Sequence, residues 1–157
     1  MYDRAFYDAI RPGCQASAAV IVPLLMELFA PSSVVDVGAG EGWFANAFRV
    51  AVIEQVVAVD GPWVQVEGVQ TIDLRAPFAE LVPRSDLAIC LEVAEHLPPG
   101  RAESFVADLC ALAPVVAFSA AVPGQPGADH INCQPPAWWA ALFADHGYQC
   151  SDELRWI

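Results

Sequence analysis

Val34-Val35-Asp36-Val37-Gly38-Ala39-Gly40-Glu41-Gly42 is the stretch that decides how this chain folds. Its first four residues are β-branched apart from Asp36, which suits a buried strand. The strand runs into glycines at positions 38, 40 and 42, and then into Trp43-Phe44, where the apolar spacing becomes helical. Glycine allows a sharp turn and lets a ligand approach where a Cβ would block it. The helix that follows offers unpaired N–H groups in its first turn. The spacing is G-x-G-x-G; the dinucleotide fingerprint would need its third glycine where Trp43 stands.

The same alternation continues along the chain. Val56–Val59 reads as a buried strand ending in Asp60-Gly61, and Val66–Ile72 as a shorter one ending in Asp73-Leu74. Leu87–Leu91 ends in Glu92, and Val115–Phe118 is a fifth strand, again a continuous apolar run. Trp43, Phe44, Ala47, Phe48 and Ala51 recur at helical spacing, as do Phe105, Val106, Leu109 and Leu112 within Arg101–Ala113. Pro135 or Pro136 opens a last helix carrying Trp138, Trp139, Leu142 and Phe143, with Gly147 as its stop and a final strand expected from Tyr148. Residues from Tyr2 to Phe29 read as two helices separated by Pro12-Gly13. Strands and helices in alternation predict an α/β fold with a doubly wound, mostly parallel, Rossmann-like sheet. Asp60, Asp73 and Glu92 then stand at strand C-termini, where such sheets bind ligands.

With 157 residues the chain suits one domain over 1–157, divided into an N-terminal helical cap (1–31) and an α/β core (32–157). A hydrophobic content of 56% and a mean hydropathy of +0.42 fit a sheet buried on both faces. The apolar run Ala18–Phe29 is too short to span a bilayer and is interrupted by Pro23 and Glu27; no basic segment precedes it. A soluble, cytoplasmic protein without a membrane partner is expected. A net charge of −12, with only seven cationic side chains (all arginine), argues against nucleic acid. The five cysteines form no C-x-x-C pair and read as buried free thiols in a reducing compartment.

From Ser33 to Tyr148 the chain resembles the class I S-adenosylmethionine-dependent methyltransferases, of the small bacterial type. The resemblance implies S-adenosylmethionine as cofactor. Gly38, Ala39 and Gly40 match the loop beneath its methionine part, and Asp36 the acidic residue that orders that loop. Asp60, followed by Gly61, matches the carboxylate that receives both ribose hydroxyls. Asp73-Leu74 resembles the pair that reads adenine, while Leu91 and Glu92 match the strand end beside the cofactor's amino group. For any one carboxylate the alternative is a helix cap or a solvated loop position; several following successive strands favour the cofactor. The family's seventh strand has little room after Ile157, and Arg155-Trp156-Ile157 cannot make one. Either the chain is truncated or the sheet ends one strand early, and the exposed edge or apolar patch left behind would favour a homodimer.

Glu92-Val93-Ala94-Glu95-His96-Leu97 carries a second possibility. In a helix starting at Glu92, Glu92, Glu95 and His96 share one face, and with His130 they could hold a divalent cation. Similar segments in ubiquinone-biosynthesis O-methyltransferases and small-RNA 2′-O-methyltransferases are associated with a metal. The same letters are widespread in methyltransferases without one, so metal independence is the favoured expectation. His130, after the fifth strand, is the first candidate for an acceptor-side base and His96 the second. Trp138 and Trp139 are candidates for an aromatic substrate wall, or for ordinary core. The N-terminal helices, with Tyr2, Tyr7 and Ser17, are expected to close over the cofactor, and the 123–129 loop is a candidate lid. The expected activity is methyl transfer to an O or N atom of a small molecule. An NAD-binding oxidoreductase and a non-catalytic S-adenosylmethionine-binding module are the alternatives.

Overall fold

The strand made by Ser33–Val37 (β1) lies at the centre of a five-stranded sheet, with Val34 and Val35 fully buried on opposite faces. The structure, a computed structural model, describes residues 4–152 and Leu154. Around β1 stand β2 (Gln55–Asp60), β3 (Gln70–Thr71), β4 (Leu87–Leu91) and β5 (Val115–Ser119), in the order β3-β2-β1-β4-β5, all parallel. Because side chains alternate along a strand, Val34, Leu87 and Ile89 face one layer, under α1 (Arg4–Phe29) and α2 (Trp43–Val50). Val35, Val37, Ala88 and Cys90 face the other, under α3 (Ala102–Leu112) and α4 (Pro136–Asp145). This is the doubly wound sheet expected of the α/β fold. Its order reverses between β1 and β4, which opens a crevice at the strands' C-terminal ends.

Several sequence expectations need correction. Pro12-Gly13 does not divide the first helix: α1 is continuous over 26 residues with Pro12 and Pro23 inside it. The two prolines are three turns apart and both exposed, so the backbone bonds they forfeit lie on the solvent face, where a helix curves outward and water serves its carbonyls. The Ala18–Phe29 run is therefore no short segment. It belongs to a helix long and apolar enough, by length and composition, to cross a membrane; here Ala18, Val22 and Leu25 are buried in the chain's own core. Position Tyr2 lies outside the described residues.

The third strand is shorter than Val66–Ile72, because Gly68 at φ +84° and a Val69 N–H to Val66 O bond make the first half a turn. No strand follows Gly147 among the described residues. The Tyr148 hydroxyl donates to Cys110 O and Ala113 O, pinning this segment to the end of α3 and not to the edge of β5. Arg155-Trp156-Ile157 lies outside the described residues. Finally, the cysteines are free but not uniformly buried: Cys90 is buried, Cys150 exposed, and Cys14, Cys110 and Cys133 half-buried.

Candidate functional site

The glycine loop leaves β1 with Gly38 at φ +78° and Gly40 at φ +52°, conformations that a side chain resists. A Cβ on Gly38 would lie 2.3 Å from Val93 Cγ2, so glycine is also needed for packing there. The N–H groups of Gly38 and Ala39 both reach Val59 O, at 2.9 and 3.1 Å. Gly42 is the N-cap of α2 and has no capping side chain. Asp36 takes that task from the strand: its Oδ2 accepts the Ala45 N–H at 3.0 Å. The acidic residue thus orders the loop by anchoring the helix that ends it. Burial pushes its carboxyl up to about 7.

Asp60, at the end of β2, faces the loop. Its carboxylate accepts the Gly40 N–H at 2.6 Å and the Gly61 N–H at 2.5 Å. Burial raises the group above its ordinary range against the pull of these donors and the Trp63 indole. A carboxylate has about four lone-pair sites, so acceptor capacity remains for a ligand. Trp63 lies across Gly61, where a Cβ would meet its ring at 2.2 Å, and Arg75 stands over the same ring at 5.9 Å.

The Asp73-Leu74 pair divides its tasks. Leu74 is buried and lines the cavity. Asp73 does not line it; its carboxylate is forked by Arg75 at 2.8 and 2.9 Å, which also lowers its pKa. The loop is held from below by the buried Arg101, which donates to Leu74 O, Ala76 O and the Asp108 carboxylate. On the opposite side α1 closes over the glycine loop. Arg11 forks Glu41 at 2.9 and 2.8 Å, and Tyr7 Cε1 lies 3.4 Å from where a Cβ on Gly40 would be. Tyr7 and Ser17 both line the cavity.

At the end of β4, Leu91 and Glu92 border the cavity. Glu92 has φ +57°, a strained conformation for a side-chain-bearing residue. It is held by Ser119 Oγ at 2.8 Å and Gln125 Nε2 at 3.2 Å. No helix starts at Glu92: residues 94–96 form a single tight turn after it. The expected shared face of Glu92, Glu95 and His96 is therefore replaced. Glu95 turns into the interior, fully buried, and His96 lines the cavity. His96 Nδ1 lies 3.3 Å from Asp129 O, and burial lowers its imidazole pKa. His130 is not a cavity-lining residue; it stacks edge-on behind His96, with ring centroids 5.0 Å apart. Trp139 is buried and lines the cavity with Phe118, whereas Trp138 is 38% exposed.

The glycine loop, Asp60, Leu74, Glu92, His96 and Trp139 share one cavity of about 1740 Å³, larger than most small-ligand sites. It extends past the glycine loop along the edge of β5. A family model described as a methyltransferase domain matches residues 10–156. The chain belongs to the class I methyltransferase family. No curated protein matches this methyltransferase domain. Among solved structures it is similar to an S-adenosylmethionine-dependent methyltransferase from Archaeoglobus fulgidus (17% identity, 95% of this chain and 75% of that one, TM-score 0.72). It is also similar to an O-methyltransferase family protein from Burkholderia thailandensis (16% identity, 93% and 55%, TM-score 0.70). A third is magnesium protoporphyrin IX methyltransferase from Synechocystis PCC 6803 with bound SAH (21% identity, 96% and 80%, TM-score 0.64). The methyltransferase domain thus spans about half the length of the Burkholderia protein. These matches give the NAD reading no support.

Trp63, Arg75 and the Arg11–Glu41 fork are absent from the sequence-based site. Arg75 stands two residues after Asp73, a spacing that lets a guanidinium fold back on the carboxylate. Arg11 and Glu41 are thirty residues apart, and nothing in the sequence links them.

Proposed function

We propose that this methyltransferase domain binds S-adenosylmethionine in the crevice between β1 and β4 and transfers its methyl group to an O or N atom of a small molecule. Bound there, the cofactor supplies an electrophilic methyl group on a sulfonium centre. The residues fit it: Gly38, Ala39 and Gly40 border the cavity together with Tyr7, Asp60 keeps acceptor capacity, and Leu74 with Trp63 offers apolar surface. Glu92, held by Ser119 and Gln125, stands ready for a cationic amino group. Asp73, engaged by Arg75, serves the purine end indirectly unless that fork opens.

The observation that carries the enzyme reading over a non-catalytic module is the cavity's continuity. It runs from the glycine loop to a wall of Phe118, Trp139, Val93 and Leu97, with His96 as its polar point. That wall fits an uncharged, largely apolar acceptor, and alignment of such an acceptor supplies much of the rate. His96, backed by His130, is the pair toward which the acceptor's proton leaves. The acidic chain fits no nucleic acid, and the edge of β5, which pairs with no further strand among the described residues, fits a homodimer in the cytoplasm. Release of S-adenosylhomocysteine from S-adenosylmethionine, assayed across phenols, alcohols and amines, tests the reading. Turnover on at least one class supports it; cofactor binding without turnover on any class would favour the non-catalytic module.

A further inference from the structure

We propose that Arg75 is a built-in competitor for the purine end of the cofactor: its guanidinium occupies the carboxylate and the aromatic surface that the base would use, and has to leave before the base is seated. The inference deepens the S-adenosylmethionine reading of the crevice and rests on it.

The corner of the cavity beside Asp60 is made by Trp63, Leu74 and Arg75. Trp63 supplies a flat π surface, on which any base can stack. Gly61 makes room for it, since a Cβ there would meet the ring at 2.2 Å. The indole also pulls on the Asp60 carboxylate, which fixes the ring beside the end of β2. Asp73 supplies acceptor oxygens, which suit the exocyclic amine of adenine. A stacking surface and an acceptor side by side fit a purine that carries an amino group.

One guanidinium holds both. Arg75 Nε and Nη2 donate to the two Asp73 oxygens at 2.8 and 2.9 Å, and the Arg75 backbone N–H adds a third bond at 3.0 Å. The same guanidinium stands 5.9 Å from the centre of the Trp63 ring. A flat base in contact on both sides needs about 7 Å between its neighbours, so none fits between Arg75 and Trp63 as they stand. Asp73 does not line the cavity, whereas Arg75 does. The cavity therefore presents a cation at this corner, where an amino group needs an acceptor. Arg75 and Asp73 are 55% and 44% exposed, so water screens the fork and lets it open. The affinity of the chain for the cofactor is then reduced by the fraction of molecules in which the fork is open.

The test is calorimetric titration of the full chain with S-adenosylhomocysteine, in wild type, Arg75→Gln and Arg75→Lys. Each is measured at about 0.01 M and about 1 M salt, where charges are screened beyond roughly 30 and 3 Å. At low salt Arg75→Gln should bind about three- to tenfold more tightly than wild type. Arg75→Lys should fall between them, because an ammonium group cannot fork a carboxylate. High salt should narrow the gap; any contact of the ligand's amino group with Glu92 is common to the three proteins and cancels in the ratio. Trp63→Ala should weaken binding, because the base loses its stacking surface. If Arg75 served to hold its loop together, the Gln variant would melt lower and bind more weakly. Equal or weaker binding by Arg75→Gln at low salt, or a gap that salt does not change, would overturn the proposal. Either result with S-adenosylhomocysteine bound by wild type sinks this inference alone. No binding by any of the proteins sinks the cofactor reading and this inference with it.

Discussion

The Asp60 carboxylate at the end of β2 accepts the Gly40 N–H at 2.6 Å, tying the neighbouring strand to the turn of the glycine loop. One side chain therefore shapes the loop and faces the cavity at once. Asp60→Ala should lower both S-adenosylhomocysteine affinity and melting temperature. Loss of a charged hydrogen-bond partner costs about 1.5–3 kcal/mol, or roughly ten- to a hundredfold in affinity. Titration calorimetry and thermal melting read the two effects, and a variant unchanged in both would remove Asp60 from the site.

Gly40→Val should abolish cofactor binding more completely. The residue sits at φ +52°, where a β-branched side chain is an outlier, and the new Cβ would approach Tyr7 at 3.4 Å. Circular dichroism establishes that the variant is folded; normal S-adenosylhomocysteine binding by that protein would contradict the assignment of the loop.

Asp36 gives a pH signature. Burial raises its carboxyl from an ordinary 3.8 to about 7 in the folded chain. Between these values the unfolded chain loses the proton and the folded one keeps it, so stability falls as pH rises through the window and levels off above it. Asp36→Asn removes this term while keeping an acceptor for the Ala45 N–H. The variant should gain stability relative to wild type between about pH 4 and pH 7, on the order of 1–3 kcal/mol. Denaturant melts at both ends of the range read the difference, and parallel curves for the two proteins would contradict the assignment.

Arg101 anchors the cofactor-side loop from beneath. Its guanidinium is buried among Leu74 O, Ala76 O and Asp108, and Asp108 in turn accepts the Phe78 and Ala79 N–H groups. Arg101→Ala leaves a buried carboxylate and carbonyls without their donor, a loss of about 3–5 kcal/mol. Equilibrium unfolding in urea checks it, and a loss under about 1 kcal/mol would show that the cluster carries little.

The sheet and the crevice at its strand ends are legible in the sequence because local rules produce them. β-Branched runs, glycines with positive φ and carboxylates at strand ends act within a few residues. What escaped depends on partners distant in the chain. Pro12 stays helical because its face meets solvent. Val66–Gly68 turns because Gly68 adopts positive φ, and Tyr148 is held by carbonyls at the end of α3. Asp73 is taken up by Arg75, a choice of rotamer that spacing permits but does not dictate. Position after a strand ranks His130 ahead of His96, but it does not tell which ring borders the cavity. Their stacking, and the burial of Glu95 beside them, arise from the meeting of two loops.

The central claim, that the crevice between β1 and β4 is an S-adenosylmethionine site, is tested most directly by calorimetric titration with S-adenosylhomocysteine and, separately, with NAD. The account predicts saturable one-to-one binding of S-adenosylhomocysteine and none of NAD. Binding of NAD in its place, or of neither ligand by the folded protein, would contradict it.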